Sequence, residues 1–68
     1  MSKDKYAGLS LTERLTQAGI FTLFSRAVKS GDTITMTTLL QQVNYPLDAA
    51  EATATTFLND PNAFPHQE

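Results

Sequence analysis

The sequence predicts an all-α fold, a compact bundle of three to four short helices, and three observations carry that prediction. Met36, Leu39, Leu40 and Val43 fall at i, i+3, i+4 and i+7, the spacing of one helical stripe. Two capping boxes, Ser10-Leu11-Thr12-Glu13 and Asp48-Ala49-Ala50-Glu51, stand where helices would open, a side-chain oxygen at the first residue facing a carboxylate three residues later. The one stretch that alternates like a strand, Thr33-Ile34-Thr35-Met36-Thr37, has no second strand to pair with. It reads as a frayed helix start despite its β-branched residues.

Residues 1–9 show no period and carry Gly8, so they read as a flexible arm ahead of a single helical domain over 10–64. The first helical stretch opens at Ser10 and stops near Lys29-Ser30-Gly31, where glycine suits the left-handed position after a helix. Within it two apolar stripes disagree. At 100° per residue Leu11, Leu15, Ala18 and Thr22 share one face, and Ile20, Leu23, Phe24 and Ala27 lie nearly opposite, with Phe21 and Val28 at the edge. A straight helix cannot turn both stripes into one core. Either the chain breaks at Ala18-Gly19 or one stripe stays outside, and glycine's poor helix propensity favours two pieces, 11–18 and 20–29.

The next helix spans 33–44, capped by Asp32 and stopped by Asn44 and Pro46. A last helix over 49–59 would bury Leu47, Ala50, Ala54, Phe57 and Leu58 along one face. Asn59-Asp60-Pro61 ends it, because the residue before proline disfavours helical backbone. Phe64 is too apolar for a free end and should fold back over the core, leaving 65–68 as a flexible tail.

With 68 residues, 41% hydrophobic and 18% charged, the chain has the composition of one globular domain. It has no cysteine, hence no disulfide and no thiolate metal site. Its one histidine is His66, far from any activated nucleophile, and Gly8, Gly19 and Gly31 are too scattered to cradle a phosphate. We therefore expect no catalytic residue, no metal, no cofactor and no small-molecule substrate. The absence of a long apolar run or a leader-like start implies no membrane segment and a cytoplasmic location.

The stretch Leu11-Thr12-Glu13-Arg14-Leu15-Thr16-Gln17-Ala18-Gly19-Ile20-Phe21, followed by Met36, Leu39-Leu40, Val43 and the ending Leu58-Asn59-Asp60-Pro61, resembles short uncharacterised bacterial all-helical proteins over about residues 10–64. The resemblance implies a small bacterial helical protein and brings no activity with it.

Charge divides along the chain. Residues 1–30 carry every lysine and arginine and a net +3, and residues 31–68 carry a net −5. Such asymmetry can complement itself within one fold or across an oligomer. A chain this short also gains little from one core and often adds a second subunit. The expected function is accordingly a non-enzymatic protein–protein interaction module or small regulatory protein, binding another protein or itself as a homo-oligomer. Its contact ridge would lie on the first helix: Leu11, Arg14, Leu15, Ala18, Phe21 and Arg26. The alternative is nucleic-acid binding by the basic face of that helix within a helix-turn-helix-like shape. Asp48 and Glu51 on the would-be recognition helix repel phosphate and count against it.

Overall fold

A computed structural model describes Tyr6 and residues 8–64. Four α-helices follow in order, α1 (Leu11–Ala18), α2 (Phe21–Ser30), α3 (Thr33–Gln42) and α4 (Leu47–Asn59), and a 3₁₀ turn covers Pro61–Ala63. The all-α reading holds, and the chain breaks between α1 and α2 at Gly19-Ile20.

One device closes the first three helices. After α1, Gly19 adopts φ 76°, its N–H bonds to the Thr16 carbonyl, and the Ile20 N–H reaches back to the Leu15 carbonyl at 2.9 Å. This pair of bonds is a Schellman closure, which requires left-handed backbone at its centre. After α2 the same pattern runs from Gly31 to Val28 and from Asp32 to Ala27. After α3 it runs from Asn44 to Gln41 and from Tyr45 to Leu40, with Asn44 at φ 70°. Each closure reverses the chain within about four residues, so consecutive helices become neighbours.

The helix starts divide into two kinds. Ser10 and Glu13 make the full capping box at α1, Ser10 Oγ accepting from the Glu13 amide at 3.2 Å and Glu13 Oε1 from the Ser10 amide at 2.9 Å. Asp32 caps α3 through the Thr35 amide at 3.1 Å. The expected box at Asp48 and Glu51 does not form. Pro46, with φ −63°, already sets the backbone for a helix that starts at Leu47, two residues earlier than predicted. Asp48 then sits inside the first turn and its carboxylate accepts from the Ala49 amide, while Glu51 is left on the surface.

The bend at Gly19 lets both apolar stripes serve one core. Leu15, Phe24, Val28, Met36, Leu40 and Ala50 are fully enclosed, and Leu11, Ile20, Phe21 and Tyr45 pack around them. Phe64 folds back as expected, with its ring centroid 5.3 Å from Phe21, 5.1 Å from Phe24 and 5.3 Å from Phe57. All four phenylalanines of the sequence thus form one cluster, in the tilted and edge-on arrangements aromatic rings prefer.

Three residues of the segment read as a flexible arm, Tyr6, Gly8 and Leu9, are described. Tyr6 is buried, and its carbonyl accepts from the Leu9 amide at 3.1 Å. A single large ring leaves no periodic trace in a sequence. The rest of that arm (1–5 and 7) and the tail 65–68 lie outside the described residues.

Candidate functional site

Helix α3 has an unusual composition for a helix with a solvent face. Its ten residues, Thr33 to Gln42, include no Lys, Arg, Asp or Glu. Met36, Leu39 and Leu40 point inward; Ile34, Thr38 and Gln41 share the opposite side and are exposed. Ile34 is 80% exposed, the most open of the large apolar side chains among the described residues. A surface helix of this length normally carries charges on its outer face; depletion of charge is the mark of the central part of an interface.

Two grooves flank this ridge. One, of about 480 Å³, runs between α3 and α4, with Ile34, Thr37 and Thr38 on one wall and Glu51, Thr55 and Leu58 on the other. Buried Ala54 forms part of its floor. The second, of about 260 Å³, runs between α2 and α3 and is bordered by Leu23, Arg26, Ser30, Asp32 and Leu39. Leu23 and Leu58 are each about half exposed, at 50% and 47%. The Ile34 ridge therefore has an apolar side chain on either side, with Arg26 and Asp32 on the α2 margin and Glu51 on the α4 margin.

Asp32, the other charge on the α2 side, stays ionised. Its two carboxylate oxygens accept from Thr35 Oγ1 at 2.6 Å and the Thr35 amide at 3.1 Å. The Thr35 hydroxyl, with the amide second, holds its carboxyl below the ordinary 3.8 by stabilising the charged form.

The residues expected to form a contact ridge on the first helix are dispersed. Leu15 is completely enclosed, because the bend at Gly19 turns its stripe toward α2 and α3 instead of solvent. Leu11 and Phe21 pack against the core, and Ala18 is half-buried. Arg14 works inside the fold: Nη1 donates to the Val43 carbonyl at 2.9 Å, Nε to the Leu9 carbonyl at 3.3 Å, and its guanidinium lies 5.2 Å from the Tyr45 ring centroid. Of the six, only Arg26 is open to solvent, and it stands on α2, beyond the bend at Gly19. The outer face of α1 instead presents Glu13, Thr16 and Gln17.

The residues that sequence reasoning placed in the core and that the structure exposes are Leu23, Leu47 and Leu58. Ile34 was assigned to no face. A signal for this surface does exist in the chain, an uncharged run of fifteen residues from Thr33 to Leu47 bounded by Asp32 and Asp48.

Among the described residues no group of three or more His, Cys, Asp and Glu could hold a metal ion. No described helix is long and apolar enough to cross a membrane. The chain matches no protein-family model, no curated protein and no solved structure.

Proposed function

We propose that this protein is a non-enzymatic interaction module that binds another protein chain through the outer face of α3 and the two grooves beside it. The observation that carries this reading is Ile34, 80% exposed in the first turn of a helix without charge. Solvating that much apolar surface is unfavourable by roughly 25 cal/mol per Å², and covering it with a partner recovers the cost. Leu23 and Leu58 extend the apolar area, and Arg26 and Glu51 supply a polar rim, the usual anatomy of a docking surface. The threonines of the groove add methyl contacts and hydroxyls that can pair with a partner's backbone.

The experiment is site-specific photo-crosslinking in cells that make the protein. A photoreactive side chain at position 34 should give a discrete adduct, and one at Thr16 on the outer face of α1 should not. Equal labelling at both positions, or none at either, contradicts the assignment.

Duplex binding through basic residues draws less support. The Arg14 guanidinium already serves Val43, Leu9 and Tyr45, and the only other described cations are Arg26 and Lys29 of α2, too few for tight phosphate binding. Association with duplex DNA should accordingly be absent at low salt; a retained complex that weakens steeply with added salt would revive that reading.

A further inference from the structure

Resting on the interaction reading above, we propose that the groove between α3 and α4 takes an amphipathic helix of a partner protein, one that carries a lysine or arginine two turns away from an apolar anchor. Among the described residues Glu51 is the only charged side chain lining this groove, and none of them is bonded to its carboxylate. From Thr33 to Phe64 the chain holds Asp48, Glu51 and Asp60 and no Lys or Arg, so neither helix of the groove supplies a counter-charge. Arg26 borders the other groove, together with Asp32. The complement to Glu51 is therefore a cation brought from outside. The same carboxylate repels the phosphates of a duplex or of an anionic lipid surface.

The groove is also graded along its length. A side-chain carbon added at Gly31, just ahead of α3, would lie 3.4 Å from Leu58, so the end of α4 stands beside the start of α3. Leu58 therefore shares the Ile34 end of the groove. Glu51, seven residues earlier on α4, lies about 10.5 Å away at about 1.5 Å per residue. Between the two ends Thr37 and Thr38 face Thr55. Asp48, Glu51, Thr55 and Leu58 follow one another at spacings of three, four and three, which keeps them on one stripe of the helix. Exposed Asp48 thus prolongs the negative end by one turn, although part of its charge is spent on the Ala49 amide. The order is apolar, then hydroxyl, then carboxylate.

That order selects the shape of the occupant. No described residue belongs to a strand, so there is no sheet edge for an extended peptide to join. No aromatic side chain lines the groove, so the surface on which proline-rich segments dock is missing too. A helix laid in the groove is the mode that remains. Residues seven apart on a helix share one face and stand about 10.5 Å apart, the separation of Leu58 and Glu51. An apolar side chain of such a helix seats between Ile34 and Leu58, and a lysine or arginine seven residues along meets Glu51. Helix α2 of a second copy does not match this pattern. Its exposed Leu23 is three residues from Arg26, about 4.5 Å of rise, and six from Lys29, which faces another side of the helix.

The test is a display library of helical peptides, randomised on their exposed positions and selected against the full chain and against Glu51→Lys. Glu51 is exposed, so the variant should fold, and circular dichroism checks that it does. Selection on the unaltered chain should enrich peptides with a lysine or arginine seven residues from an apolar side chain. Selection on Glu51→Lys should replace that cation by aspartate or glutamate. A peptide enriched on the unaltered chain should bind Glu51→Lys at least about tenfold more weakly and should bind Arg26→Glu, altered in the other groove, unchanged. Peptides without a cation at that spacing, a choice of charge that ignores position 51, or no enrichment at all would overturn the proposal. So would self-association in sedimentation equilibrium that Glu51→Lys abolishes, since the occupant would then be a second copy. Crosslinking at position 34 separates the two levels: with a discrete adduct in cells the interaction reading outlives a failed selection, and without one both fall.

Discussion

Individual side chains here fall into those that hold the monomer and those that are open to a partner, and substitution should separate them. Leu15 is fully enclosed, so Leu15→Ala should cost about 2–5 kcal/mol in urea unfolding, and Leu15→Asp should abolish the helical circular-dichroism signal. Ile34→Asp, by contrast, should change stability by no more than about 0.5 kcal/mol, as expected of an exposed position, while removing association. A large loss of stability in that variant would mean that Ile34 supports the monomer. Asp32 gives a titration test. Its carboxyl is held below 3.8 by Thr35, so the folded state favours the charged form. Its contribution is present above about pH 4 and is lost as pH falls through the lowered folded value. Asp32→Ala should remove that part of the acid dependence: the melting temperature falls at neutral pH, changes little at the acid end, and the low-pH limb becomes shallower.

Helix boundaries were largely written into the sequence because the signals that set them are local. Ser10 with Glu13, Asp32, Gly19, Gly31 and Asn44 each act within one turn of chain, and each occupies the position read for it. The exception, Asp48 and Glu51, failed because two local signals competed and proline's fixed φ prevailed. Exposure of Leu23, Ile34, Leu47 and Leu58 was not readable. A stripe at helical spacing is wider than the strip a neighbouring helix covers, so which of its members emerge depends on how the helices cross. Leu15 shows the converse, since its burial follows from the bend alone. At this scale Gly19→Ala should cost about 1–2 kcal/mol, the penalty for left-handed backbone with a side chain. Nothing lies within 4 Å of the added carbon, so the whole effect is conformational, and Gly19→Asn should be milder because asparagine tolerates that region. A stability loss for asparagine larger than for alanine would contradict the Schellman account. Phe64→Ala, which removes the ring shared by Phe21, Phe24 and Phe57, should cost about 3–5 kcal/mol.

For the molecule as a whole, the bend at Gly19 decides where the interaction surface can be. By folding α1 back it consumes the apolar stripe of the first helix inside the monomer and leaves the uncharged face of α3 uncovered on the other side. The chain has two isoleucines, Ile20 and Ile34, one packed beside the core and one exposed, so isoleucine methyl labelling places a single reporter on each side of the question. In methyl NMR of the labelled protein titrated with unlabelled lysate of cells that make it, the Ile34 signal should shift or broaden while the Ile20 signal stays fixed. An Ile34 signal that holds its position throughout, or an Ile20 signal that moves in its place, would contradict the account.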